Sequence, residues 1–237
     1  MSQPGWYPDP YGGGQRWWDG ATWTPHVYPS QAPPSQALPS QAVPSQAVGP
    51  VLNTMVDGKH LYADPRTVFY DGRSILLDQA EWVSYFTKTS YIQVGLVKSV
   101  NQREFHFEVG RYPRMRAPMV AMAFGKSTGA EHGDWRFLVD LSRRCLEPRL
   151  VADLAAKVRA GGMVEVGAGL AVHPGGIQGM SVSLAWDEVA GTSAKDGRIW
   201  IHKAGKHKPV LYVPEQNPNA VLIPALFAAL GQRAIVA

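Results

Sequence analysis

At 237 residues the chain has room for one large domain or two small ones, with 45% hydrophobic and 18% charged residues. Its net charge of +4, without a run of five basic residues, argues against the concentrated basic face of a nucleic-acid binder, and no nucleic-acid partner is expected. A single cysteine, Cys145, excludes an intrachain disulfide and a Cys-rich zinc centre.

The opening MSQPGWYPDP has neither a basic head nor an apolar run, so a secretory signal is not expected and the chain reads as cytoplasmic. Residues 1–27 concentrate four tryptophans, Trp6, Trp17, Trp18 and Trp23, in a segment punctuated by Gly12-Gly13-Gly14 and Asp19-Gly20. Asp-Gly between two aromatic runs is a hairpin signal, because a type I′ turn needs positive φ at both positions. The segment is expected to fold as a three-stranded β-meander. Each ring can bury about 150–250 Å², so the tryptophans are the core of so short a piece. A core of this size is marginal without a metal or disulfide, so some rings are expected to stay partly exposed and to contact a partner.

The residues GWYPDP, a glycine-rich turn, RWWDG and TWT resemble a short actinobacterial N-terminal domain of unknown function. That resemblance implies a low-complexity linker followed by a variable domain or membrane helices. It carries no agreed activity.

Residues 28–54 contain a five-residue unit repeated four times, PSQAP, PSQAL, PSQAV, PSQAV, from Pro29, Pro34, Pro39 and Pro44. The segment has no charge and little to bury, so it is expected to be a disordered linker biased toward extended polyproline geometry. Its other reading is a Pro-rich docking peptide, although no basic residues flank a PxxP core.

Residues 55–162 read as strands closed by a helix. TVFYDG and SILLD flank Asp71-Gly72; EWVSYF, YIQVGLVKSV, REFHFEVG, MVAMAF and WRFLVDLS follow as further strands. In REFHFEVG, Phe105, Phe107 and Val109 alternate with Glu104, His106 and Glu108, the period of a half-buried strand. EPRLVADLAAKVRAGG changes period, with Leu150, Leu154 and Val158 four apart, Pro148 in a first turn and Gly161-Gly162 as the stop.

Residues 163–237 repeat that order. VEVGAGLAVHPGGI answers TVFYDGRSI, and SVSLAWDEVAG answers LLDQAEWVSYF with Trp186 for Trp82. DGRIWIHKAG answers NQREFHFEVG, KPVLYVPEQ answers WRFLVDLSR, and NPNAVLIPALFAALG closes with a helix. The expected fold class is α+β: the meander, the linker, then two antiparallel-sheet units each closed by a C-terminal helix. GLAVHPGGI, LAWDEVAGTSAKDGRIWI and the closing helix resemble small bacterial pleckstrin-homology-like domains, in which a Trp often opens the strand before the central hairpin; Trp186 fits that place and Trp82 fits it more loosely. That resemblance implies binding or assembly modules and names no ligand.

Few signals for chemistry survive inspection. FGKSTG, residues 124–129, lacks the upstream glycine of a phosphate loop, since Val120 stands there, and AEHGDW follows it. His132 with Glu131 and Asp134 is a loop cluster that reads as solvated polar residues before it reads as a metal site. Cys145 precedes the helix at Glu147, but no base is identifiable beside it. No cofactor and no metal are expected. The basic loops are better candidates: Lys203, Lys206 and Lys208 around one glycine turn, and Arg111, Arg114 and Arg116 in RYPRMRAP. Such loops attract an anion or an anionic membrane surface at about 1 kcal/mol per basic residue, or simply keep a sheet edge soluble. The function expected is a non-catalytic binding or scaffold protein that docks a protein partner or makes peripheral contact with an anionic membrane. The alternative is an enzyme or nucleotide-binding regulator built on the strand-rich body.

Overall fold

The computed structural model describes residues 5–8, 14–18, 21–29, 49–94, 97–114, 117–127, 132–179 and 181–231. The chain divides into two units, residues 1–47 and 48–237.

In the first unit, β1 (Gly5–Pro8), β2 (Gly14–Trp18) and β3 (Trp23–Pro29) form an antiparallel meander in chain order, the arrangement expected from its turn signals. Tyr7 stands opposite Arg16, and Trp18 opposite Trp23. The Asp19-Gly20 turn and Gly12-Gly13 lie outside the described residues, as does linker segment 30–48. β3 reaches Pro29, and the next strand starts at Leu52, so described strands enter both ends of the stretch read as linker.

In the second unit, a four-stranded sheet contains β4 (Leu52–Val56), β5 (Lys59–Ala63), β6 (Thr67–Tyr70) and β7 (Arg73–Leu76) in chain order. β8 (Trp82–Val94), β9 (Val97–Gly110) and β10 (Met119–Ser127) form a three-stranded sheet. Helices α1 (Gly133–Cys145) and α2 (Glu147–Arg159) follow. Then come four strands in one sheet, β11 (Val164–Val166), β12 (Leu170–His173), β13 (Gly176–Gln178) and β14 (Ser183–Ala185). Three more form the last sheet, β15 (Val189–Lys195), β16 (Arg198–Lys203) and β17 (Leu211–Pro214), before α3 (Ile223–Ala229). All pairings are antiparallel, and the class is α+β.

Three Asp-Gly pairs set the register of this unit. Asp57-Gly58, Asp71-Gly72 and Asp196-Gly197 have φ of 49° and 73°, 52° and 73°, and 55° and 70°. Positive φ at both positions is the type I′ geometry whose twist matches the flanking strands. They close β4 onto β5, β6 onto β7 and β15 onto β16.

Helix α1 corrects the reading of WRFLVDLS as a strand. Its buried residues are Trp135, Leu138, Val139, Leu141 and Ser142, and their spacing of three and four fits a helical stripe. The aromatic and β-branched content of the segment favoured strand, and packing decided otherwise. The match of KPVLYVPEQ to WRFLVDLSR falls with it: β17 is the third strand of its sheet, a position that β10 holds in the earlier one. Helix α2 lies where its period placed it, with Pro148 in the first turn and Gly161 at φ 90° after the end.

Two cores run through the unit. One gathers Leu61, Val83, Phe105, Phe107, Phe124 and Leu138 among others; the second gathers Leu170, Ile177, Ile199, Ile201, Ile223 and Leu226. Helix α2 belongs to both, giving Leu150 to the first, Ala155 and Val158 to the second, and Leu154 to each. Leu222, far along the chain, sits in the first core.

Candidate functional site

In a strand, residues two apart share a face. Arg16 and Trp18 therefore lie on one face of the meander, joined there by their cross-strand partners Tyr7 and Trp23. Ring contacts agree with this. Trp18 and Trp23 meet edge to face at 5.2 Å and 63°, and Tyr7 meets Trp23 at 6.2 Å and 86°. Tyr7, Arg16, Trp18, Trp23 and Thr24 are all half-buried. Arg16 Nη1 donates to the Thr24 carbonyl at 3.2 Å. The indole N–H of Trp18 is shielded from solvent and has no acceptor. Trp6 and Trp17 stand opposite each other in the β1–β2 register, at positions of the other parity. The sequence reading had the tryptophans and missed Tyr7 and Arg16. Their signal was the parity of Arg16 with Trp18 across a short strand.

The basic residues do not converge. Lys203 Nζ bonds Glu188 Oε1 at 2.6 Å; this bond, with the Ala185 N–H, holds the Glu188 carboxyl below its usual range. Lys206 and Lys208 are exposed in the following turn. Arg111 lies 3.9 Å from Glu81. Arg114 bonds Glu108 at 2.6 Å and covers the Trp82 ring at 5.3 Å, with its Nε buried and unpartnered. Arg116 lies outside the described residues.

Other sequence candidates scatter as well. Residues 124–127 of FGKSTG run as the end of β10, and 128–130 lie outside the described residues. His132 lies against Phe124 at 5.1 Å with the ring planes tilted by 42°, and 3.9 Å from Asp134, while Glu131 is outside the described residues. Among the described residues no three His, Cys, Asp or Glu side chains gather to hold a metal. Cys145 ends α1 and packs, half-buried, against the first core. No described helix is long and apolar enough to cross a membrane.

One cleft escaped the sequence reading. It measures about 540 Å³ and is lined by Phe86, His106, Glu108, Arg198 and Tyr212, among others. Phe86 and His106 stack at 4.6 Å with planes 2° apart. Arg198 lies over Tyr212 at 4.6 Å and over Trp200 at 5.6 Å. His106 was visible as a polar position on β9; its partner comes from the next strand, and register alone reveals it.

Residues 4–36 match the family described as a protein of unknown function (DUF2510). No curated protein and no solved structure matches the chain.

Proposed function

We propose that the chain is a non-catalytic binding scaffold whose Trp-rich meander docks a protein partner and is tethered to a body of two tandem pleckstrin-like units. The observation that carries this reading is the half-buried Tyr7–Trp23–Trp18 row on the three-stranded meander. A single sheet has two faces, and this one carries tryptophan at both parities. Partly exposed Trp and Tyr supply large contact area at low entropic loss, which is why they dominate interface energetics. The tether gives the module reach and an effective concentration near whatever the body holds. Supporting the pleckstrin-like reading of the body is its order of four strands then three strands, met twice, with two helices after the first set and one after the second.

The test is capture of a partner by the full-length chain and by its Trp23→Ala form. Loss of capture by about tenfold or more, with the melting of residues 48–237 unchanged, is the expected result. Equal capture by both forms would overturn it.

The cleft between Phe86 and Tyr212 favours a second reading, a regulator that binds a nucleotide or another planar anion. Its test is a thermal-shift screen with nucleotides. A rise in melting that Arg198→Ala abolishes would support it.

A further inference from the structure

Resting on the reading of the Phe86–Tyr212 cleft as a planar-anion site, we infer that it takes a ribonucleoside monophosphate, with the base on an aromatic stack, the phosphate on two cations and the ribose hydroxyls at a carboxylate. Each of these parts has its own residues on the cleft wall.

The base has Phe86. Phe86 and His106 are register partners on β8 and β9, and β8 ends its sheet. Their rings are parallel within 2° at 4.6 Å. That separation is close to the spacing of neighbouring strands, so the stack runs across the sheet and the far face of Phe86 is turned away from β9, toward the open side. The cleft that Phe86 lines, about 540 Å³, falls within the span of about 300–1,000 Å³ common to small-molecule sites. A base laid on Phe86 adds a third ring to a stack of two, and every base has a π face to offer.

The phosphate has Arg198 and Lys88. Arg198 lies over Tyr212 at 4.6 Å and over Trp200 at 5.6 Å. Rings engage the flat face of a guanidinium and leave its N–H edge for an oxyanion. Among the described residues that guanidinium makes no hydrogen bond or ion pair, and neither does the exposed ammonium of Lys88, which also lines the cleft. Nearby acids are already taken: Glu108 by Arg114 at 2.6 Å, and Glu104, opposite Lys88 in the register, by His106 at 3.0 Å. A phosphate monoester carries about −1.5 to −2 charges near neutral pH, which two cations match; a triphosphate brings about twice that.

The ribose has Asp196. Among the described lining residues it is the one acid without a cation partner. It opens the β15–β16 turn at φ 55°, and the Gly197 carbonyl accepts the Glu215 N–H at 2.9 Å, which fixes that turn. A carboxylate only accepts, and its two oxygens meet the two hydroxyl donors of a ribose. A simple anion would leave this acceptor without a donor.

The full-length chain is titrated by calorimetry with the four ribonucleoside 5′-monophosphates. The tightest is compared with its nucleoside, its 2′,3′-dideoxy monophosphate, its triphosphate and inorganic phosphate. The expected result is saturable binding, tightest for a purine, whose larger ring system covers more of Phe86. Removing the base, the phosphate or the two hydroxyls should each weaken it about tenfold or more. Lys88→Gln should lower affinity for the monophosphate and leave that for the nucleoside unchanged. Asp196→Asn keeps a residue suited to the turn and should narrow the preference over the dideoxy compound. Equal binding of nucleoside and monophosphate, or of inorganic phosphate and monophosphate, would overturn the inference. If the triphosphate or another planar anion binds through Arg198 more tightly than any monophosphate, the planar-anion reading stands and the ribonucleoside monophosphate falls. If no planar anion binds, both fall.

Discussion

Asn219 and Val83 exchange two hydrogen bonds across 136 residues of chain: the Asn219 N–H donates to the Val83 carbonyl at 2.8 Å, and the Val83 N–H donates to Asn219 Oδ1 at 3.0 Å. The Asn219 amide also donates to the Glu81 carbonyl at 3.1 Å. One buried asparagine thus stands in for a strand along the edge of β8. It does so from a left-handed backbone, φ 63°, which asparagine tolerates better than most residues. With α2 shared between both cores, this contact ties the two halves of the unit 48–237 together.

Asn219→Gly keeps the left-handed backbone and deletes the amide, leaving the Val83 N–H unpaired. It is expected to lower stability by about 1–3 kcal/mol. Asn219→Ala adds left-handed strain of about 1 kcal/mol and should be the weaker of the two. Urea unfolding of the full-length chain measures both. A larger loss for glycine than for alanine would contradict the backbone argument.

Glu147 opens α2 and accepts from Ser142 Oγ at 3.2 Å. Burial pushes its carboxyl above the ordinary 4.5, against the lowering effect of Tyr85, Ser142 and Arg143. Beside it the Tyr85 phenol is pushed up to about 12, mainly by burial and then by the charge of Glu147. A carboxyl whose folded pKa lies above its unfolded value contributes stability that is full below the unfolded value and is lost as pH rises through the folded one. Glu147→Gln, which keeps an acceptor for Ser142 and cannot ionise, should therefore gain on the parent as pH rises from 4 to 7. Unfolding midpoints across that range are the measurement. A parent that gained on the variant as pH rose would have the sign reversed.

How much of this was legible in the sequence differs from element to element. The Asp71-Gly72 reversal and the Leu150–Val158 stripe were readable because each signal is local: a turn that demands positive φ, a helix that demands a period. Helix α1 was misread because WRFLVDL carries strand-forming residues, and only packing against the first core shows its stripe. At the meander, the tryptophans were countable but their division between register parities was not, since it depends on which residues pair. Asn219, Arg114 and the Phe86–His106 stack share that cause. Each is defined by a partner on another strand or far along the chain, and no spacing rule reaches that far.

Trp82 and Gly110 show how closely such a partner can constrain a position. They pair in the β8–β9 register, and Trp82 is wholly buried, its indole N–H donating to the Arg111 carbonyl at 2.9 Å. A methyl group on Gly110 would fall 2.7 Å from the Trp82 ring and 2.8 Å from Met119 Cβ. Gly110→Ala should therefore destabilise by about 1–3 kcal/mol through overpacking, although its backbone φ is unexceptional. Urea unfolding of the full-length chain, followed by circular dichroism, reads the loss. A variant as stable as the parent would mean the ring has room to move.

The arginine and lysine loops, alike in sequence, should part company when mutated. Arg114 lies over Trp82 and bonds Glu108, whose side chain is only 17% exposed. Arg114→Ala removes a cation–π contact and leaves that carboxylate without its cation, and the expected loss is about 1–2 kcal/mol of stability. Lys206 and Lys208 are exposed in their turn, so Lys206→Ala and Lys208→Ala should leave unfolding midpoints within about 0.5 kcal/mol of the parent. If either loop meets an anionic surface, it is the lysine turn, because Lys206 and Lys208 are exposed there. Sedimentation with phosphatidylserine vesicles at low and physiological salt separates the two loops: salt-sensitive binding lost in the lysine double variant fits this assignment, whereas binding lost in Arg114→Ala at unchanged stability would reverse it.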